Sequence, residues 1–184
     1  PWLLNGRTLG LIGVGTIGSE IAKRAEAFGC RVIALRRRPA YGTIGHVERV
    51  YGPGELHEFL AQCHVLVICA PLTPETHSML GAGQFAQLPK GAVVINASRG
   101  GHLVDDDLLK ALESGQLSAA VLDVFHAEPL PADHPFWTHP RIDVTPHVAS
   151  LTVPESAAKA VAQNIRRMRA GEPPEPIVDP ALGD

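Results

Sequence analysis

The chain has 184 residues with a formal net charge of −3 at pH 7, 45% hydrophobic and 19% charged residues, a composition that predicts one soluble α/β domain with a substantial core. No basic excess points to nucleic acid, no apolar stretch approaches membrane-spanning length, and the first residues carry no signal-peptide pattern, so neither nucleic acid nor a membrane is an expected partner. Cys30, Cys63 and Cys69 form no CxxC pair and lie near strand-like runs, which predicts reduced, buried thiols in a cytoplasmic protein rather than a disulfide frame.

In chain order, Thr8–Ile12 reads as an apolar strand, followed by a glycine-rich turn and a helix over 17–28 that Gly29 closes. A second strand is expected at Arg31–Leu35, a helix at 55–63, a strand at 65–69, a helix at 82–88 and a strand at Ala92–Asn96. Then come a helix at 105–114, strands at 119–123 and 142–145, and the longest helix at 154–170. Ala157, Val161, Ile165 and Met168 recur on that last helix at helical spacing and are expected to pack against the sheet. Prolines at 129, 131, 135 and 140 predict an irregular loop over 127–141, and those at 173, 174 and 176 an extended tail. Strands alternating with helices predict a doubly wound parallel sheet, a Rossmann fold, with helices on both faces.

The turn after the first strand is Gly13-Val14-Gly15-Thr16-Ile17-Gly18. In a dinucleotide-binding turn the first glycine allows the tight bend, the second lets backbone N–H groups approach a pyrophosphate, and the third allows close helix–strand packing. The helix N-terminus adds partial positive charge. By itself the pattern also fits an ordinary βα turn. The second strand sharpens it, because NAD-binding sheets usually end that strand in Asp or Glu to hold the ribose hydroxyls. Here the strand runs into Arg36-Arg37-Arg38. Guanidinium groups pair with the 2′-phosphate of NADP through charge-assisted bonds and gain nothing comparable from NAD. Arg36 and Arg37 are therefore assigned to that phosphate, with NADP(H) the preferred cofactor and NAD(H) a possible one.

Three later segments each begin at the carboxyl end of an expected strand, the edge where such sheets bind ligands. They are Asn96-Ala97-Ser98-Arg99-Gly100-Gly101, the run from Leu122 and Asp123 through Glu128-Pro129-Leu130, and Thr145-Pro146-His147-Val148-Ala149-Ser150. Arg99, Glu128 and His147 can thus converge on one cleft. The remaining histidines lack metal-ligand spacing; His57-Glu58 has no second His of an HExxH motif, and no metal is expected.

The glycine turn followed by an Arg, a Glu and a His in these contexts resembles the D-isomer-specific 2-hydroxyacid dehydrogenases over essentially the whole chain. Gly100-Gly101-His102-Leu103-Val104-Asp105-Asp106-Asp107-Leu108-Leu109 and the stretch from His139-Pro140-Arg141 to Ser150 look most like the bacterial glyoxylate/hydroxypyruvate reductase A group, whose preference for NADPH agrees with the arginines. The resemblance implies that Arg99 orients the carboxylate and polarises the carbonyl of a small 2-oxoacid, that His147 exchanges a proton with the substrate oxygen, and that Glu128 fixes and charges the imidazole. It also implies a cofactor groove formed by Gly13, Gly15, Thr16, Ile17 and Gly18, by Ala70, Pro71 and Leu72, and by Thr76. Asp123 would meet the nicotinamide amide, and Ala97, Ser98, Arg99, His147 and Ser150 would surround the ring. For Thr76 a role as a turn or cap residue stands equally open.

Members of this family are normally larger, two-domain proteins. The resemblance therefore implies that residues 1–184 are the cofactor domain, with 1–7 and 172–184 leading toward a substrate domain, and that the chain alone binds cofactor with little turnover. It further implies a homodimer formed through the region 101–140, where Phe136 and Trp137 are candidate anchors. A dinucleotide-sensing, corepressor-like interaction module is the alternative of another class. Phosphoglycerate, lactate and formate dehydrogenases of the same family are the alternatives within it.

Overall fold

A computed structural model describes residues 3–38, 45–150 and 153–177. Within them β1 (Thr8–Ile12), β2 (Arg31–Leu35), β3 (Arg49–Tyr51), β4 (Val65–Ile68), β5 (Ala92–Asn96), β6 (Leu117–Leu122) and β7 (Ile142–Val144) form one sheet in the order β3-β2-β1-β4-β5-β6-β7. Every pairing is parallel. The doubly wound parallel sheet is as the alternation of patterns predicts. From β1 the chain builds outward through β2 and β3, then returns to lay β4 on the other flank of β1. The connections leaving β1 and β4 therefore part in opposite directions, opening a crevice at their carboxyl ends.

Side-chain alternation divides the core between the two faces. Leu9, Leu11, Val32, Ala34, Val65 and Val67 pack with Ala22 and Ala25 of α1 (Thr16–Ala27). Ile12, Ile33, Leu35, Leu66 and Ile68 turn to the opposite face, among Phe59 and Leu60 of α2 (Leu56–Leu60), Phe85 of α3 (Ala82–Phe85) and Leu108 and Leu112 of α4 (Asp105–Glu113). Both faces of β1 and β4 are buried, which is why these strands read as unbroken apolar runs.

Four elements differ from the sequence-based expectation. Strand β3 was not expected: it is three residues long, too short to show a period, and exists because Ile33, Ala34 and Leu35 pair with Arg49, Val50 and Tyr51. Helices α2 and α3 are shorter than 55–63 and 82–88, because their last turns tighten into i→i+3 bonds, Cys63 N–H to Leu60 O and Leu88 N–H to Phe85 O. The last helix, α5 (Pro154–Arg169), forms nearly as expected, yet its apolar positions are not core: it has no buried residue, and Val161, Ile165 and Met168 are exposed.

By its contacts the chain divides into two units, Pro1–His147 with the sheet and Val148–Asp184 with α5. In the second unit, Arg167 ties the end of α5 to the following segment by donating to the Pro173 carbonyl at 2.8 Å and pairing with Glu175 at 3.1 Å.

Candidate active site

The glycine turn makes the tight bend and the close helix–strand packing that its sequence predicts. Gly13 sits at φ +89°, and a Cβ there would lie 2.7 Å from the Ala70 nitrogen, so only glycine lets the β1 turn meet the loop after β4. A Cβ on Gly18 would lie 2.7 Å from the Gly13 carbonyl, closing helix on strand, whereas one on Gly15 would meet nothing within 4 Å. The open glycine is the one a ligand can approach. Gly15 supplies no side-chain cap to α1, and no acidic residue stands in the first helical turn, so those N–H groups face outward beside exposed Thr16 and Ile17. This cradle fits a dinucleotide pyrophosphate.

Gly13 N–H donates to Leu35 O at 3.0 Å, which sets the end of β2 beside the turn and brings half-buried Arg36 and exposed Arg37 to the same edge. Across from them lies the loop after β4. Glu75 there is held below the usual carboxylate range by the Thr73 hydroxyl, then by its own backbone N–H, with the Arg37 charge adding to both. Ala70 is buried, while Pro71 and Leu72 are exposed. The Thr76 hydroxyl is engaged inside this loop: it accepts from Thr73 N–H at 2.8 Å and donates to Pro71 O at 2.9 Å.

Two of the three residues of the proposed chemistry are in contact; the third, Arg99, donates to Ser98 O at 2.6 Å and reaches the pair only through its charge on Glu128. His147 Nδ1 lies 2.7 Å from Glu128 Oε2, and Glu128 Oε1 accepts from Phe125 N–H at 3.0 Å. The Glu128 carboxyl is held below its ordinary range first by the hydrogen bond from His147, then by the Phe125 N–H, with the charges of His147 and Arg99 acting in the same direction. His147 carries a left-handed backbone, φ +55°, a conformation costing a non-glycine residue on the order of 1 kcal/mol. The turn that aims this imidazole is held by His147 N–H donating to Thr145 O at 3.1 Å.

Asn96, Gly100 and Thr145, which had no assigned role in the sequence, complete the frame together with Asp123. Buried Asn96 donates to Arg99 O at 2.9 Å and accepts from Ser98 N–H at 3.2 Å, shaping the turn that presents Ser98 and Arg99. Asp123 is buried and accepts from the Thr145 hydroxyl at 2.5 Å, joining the ends of β6 and β7. Gly100 is packed so tightly that a Cβ would stand 2.0 Å from the Phe125 carbonyl carbon. An Asn at a strand end and a glycine after the arginine were the available signals, but only packing gives them meaning. Ala97 is exposed at the same edge, whereas Ser150 belongs to the second unit. Phe136 is a core residue, 2% exposed, which removes it as a free interface anchor; Trp137 is 49% exposed, its indole N–H donating to Pro131 O at 2.9 Å. Among the described residues no cluster of His, Cys, Asp and Glu could hold a metal ion, and no helix is long and apolar enough to cross a membrane.

A parallel sheet with a glycine cradle at its switch point and an Arg, Glu and His at the same edge defines a class: the dinucleotide-dependent dehydrogenases. Residues 2–149 match the profile of the D-isomer specific 2-hydroxyacid dehydrogenase, NAD binding domain, and the chain belongs to that family. Curated relatives include the glyoxylate/hydroxypyruvate reductase A of Serratia proteamaculans, 46% identical over 96% of this chain and 56% of the relative, and that of Yersinia enterocolitica, 42% identical over the same shares. The chain thus spans a little over half the length of these relatives. Among solved structures, a D-isomer specific 2-hydroxyacid dehydrogenase from Xanthobacter autotrophicus Py2 in complex with NADPH and MES superposes with a TM-score of 0.94 at 38% identity, over 100% of this chain and 75% of that one. The NADPH-dependent glyoxylate/hydroxypyruvate reductase of Sinorhizobium meliloti, in complex with NADP and sulfate, does so with a TM-score of 0.90 at 37% identity, over 97% of this chain and 57% of that one.

Proposed function

We propose that the chain is the cofactor-binding part of a reductase that transfers hydride from NADPH to a small 2-oxoacid such as glyoxylate or hydroxypyruvate, giving the D-2-hydroxyacid. The observation that carries this reading is the Glu128–His147 pair at 2.7 Å, within the field of Arg99 and at the sheet edge that bears the glycine cradle. Relatives that are glyoxylate/hydroxypyruvate reductases, and structures holding NADPH or NADP, support it.

The cradle at Gly13, Gly15 and Gly18 holds the pyrophosphate, with Thr16, Ile17 and the loop Ala70-Pro71-Leu72 beside it, and Arg36 and Arg37 take the 2′-phosphate. When bound, the nicotinamide supplies the hydride, which no side chain can. Arg99 pairs its planar guanidinium with the substrate carboxylate and draws charge onto the carbonyl oxygen. His147 gives that oxygen a proton as the carbon is reduced. Because Nδ1 is turned to Glu128, Nε2 is the nitrogen that delivers it. Ionised Glu128 stabilises the imidazolium before transfer. In the reverse direction the neutral ring takes the proton back.

The test is a panel of 2-oxoacids with NADPH and NADH, using the whole protein. Turnover with NADPH, abolished in His147→Ala while NADPH binding persists, is the expected result, and Arg37→Asp should move the preference toward NADH. Equal affinity for the two cofactors would remove the arginine argument. Cofactor-dependent capture of another protein without turnover would favour a sensing module, and strong NADH-linked activity on another hydroxyacid would favour a different member of the family.

A further inference from the structure

Deep in the first unit, one imidazole is placed like a working part yet has no role in the mechanism above. His102 ends a 3-10 turn at Gly100–His102, immediately after Arg99, and is fully buried at 0% exposure. Its Nε2 lies 3.0 Å from Ala70 O and its Nδ1 3.1 Å from Thr76 O. Those two carbonyls stand at opposite ends of the loop that borders the cofactor cradle. The ring therefore spans the loop from inside.

Other contacts act along the same seam. Ser78 N–H donates to Gly101 O at 2.7 Å, Leu80 N–H donates to His102 O at 3.1 Å, and the Ser98 hydroxyl also donates to Ala70 O. Leu72 lies so close over Gly101 that a Cβ there would come within 2.9 Å of it. A side chain that only filled this space could be leucine, and would take the imidazole donor from the buried seam, leaving Ala70 O to the Ser98 hydroxyl and Thr76 O to Met79 N–H at 3.4 Å. Whichever ring nitrogen carries the hydrogen, the imidazole can donate to a carbonyl at one end of the loop, and its other nitrogen packs against the other end.

We propose that His102 is a positioning residue that fixes the cofactor loop 70–76 to the segment carrying Arg99, so that cofactor capture and 2-oxoacid orientation share one rigid frame. This rests on the reductase reading, and it adds a residue that touches neither cofactor nor substrate. Its mark is a split in the kinetics. The frame sets how well NADPH and substrate are held, whereas proton delivery by His147 belongs to another segment.

The experiment compares wild type, His102→Leu and His102→Gln by NADPH titration of the chain and by steady-state kinetics of the whole protein. In His102→Leu, NADPH binding should weaken about tenfold and the 2-oxoacid KM rise by a similar factor, with kcat changed less than about threefold. His102→Gln, which keeps an N–H donor, should recover part of both losses. If the leucine variant does not fold, the glutamine variant decides: weaker NADPH binding at an unchanged unfolding midpoint upholds the proposal, and wild-type affinity overturns it. Wild-type NADPH affinity and KM in a folded His102→Leu also overturn it. Wild-type chain that fails to bind NADPH at all would reject the reductase reading instead, which keeps the two failures apart.

Discussion

Glu128 is the residue on which the proposed chemistry turns, and its titration can be read from its neighbours. The His147 hydrogen bond and the Phe125 N–H favour its ionised form in the folded chain, so its folded value lies below its unfolded one. The resulting stabilisation is complete above the ordinary glutamate range and disappears as pH falls through the lowered folded value. Comparing wild type with Glu128→Gln in urea at a series of pH values should therefore give a stability gap that closes on the acid side. A gap that stays constant into strong acid would mean that Glu128 is not held by these partners. In the whole protein the same substitution should reduce turnover on the order of 10²-fold or more while leaving NADPH affinity near wild type. The candidate arginine, glutamate and histidine could be singled out in the sequence because each follows an apolar run in a recognisable context; their roles remain those proposed. Asn96, Thr145 and His102 were not, since their value lies in carbonyls and carboxylates supplied by distant segments.

At the scale of elements, the site depends on how closely the turn after β5 approaches the segment after β6. Gly100 makes that approach possible, its missing Cβ leaving room for the Phe125 backbone. Backbone cannot yield as a flexible side-chain end can, so Gly100→Ala must push the two segments apart. We expect a loss of about 1–3 kcal/mol in chemical unfolding and a weaker Arg99–Glu128–His147 arrangement, seen as a larger loss of turnover than of NADPH affinity. Unchanged stability in this variant would mean that the two segments do not pack as closely as described. The longer helices and buried strands were readable because their periods repeat. Strand β3 and the early ends of α2 and α3 were not, because three residues show no period and a tightened last turn answers to local bonding. The pattern of α5 was read correctly as amphipathic and wrongly as buried, for periodicity reports an apolar face and not what covers it.

For the molecule as a whole, a ligand that binds only the folded chain must stabilise it. At a free NADPH concentration of a hundred dissociation constants the gain is about 2.7 kcal/mol, and the same concentration of NADH should give less if Arg36 and Arg37 hold the 2′-phosphate. Urea midpoints with each cofactor measure this, and equal shifts would contradict the assignment. The homodimer that the family resemblance implies, formed through 101–140 with Trp137 as its remaining aromatic candidate, predicts a midpoint that rises with chain concentration; a midpoint independent of concentration would argue for a single copy. The sequence alone determined the parallel doubly wound sheet, the cradle after its first strand and the chemical types of the site, because hydrophobic period, turn glycines and functional groups are local properties. Only the tertiary structure decided that Glu128 meets His147, that Gly100 lies against Phe125 and that His102 bridges two carbonyls. Those are distances between segments far apart in the chain, and they are set by the packing of the sheet and its connections.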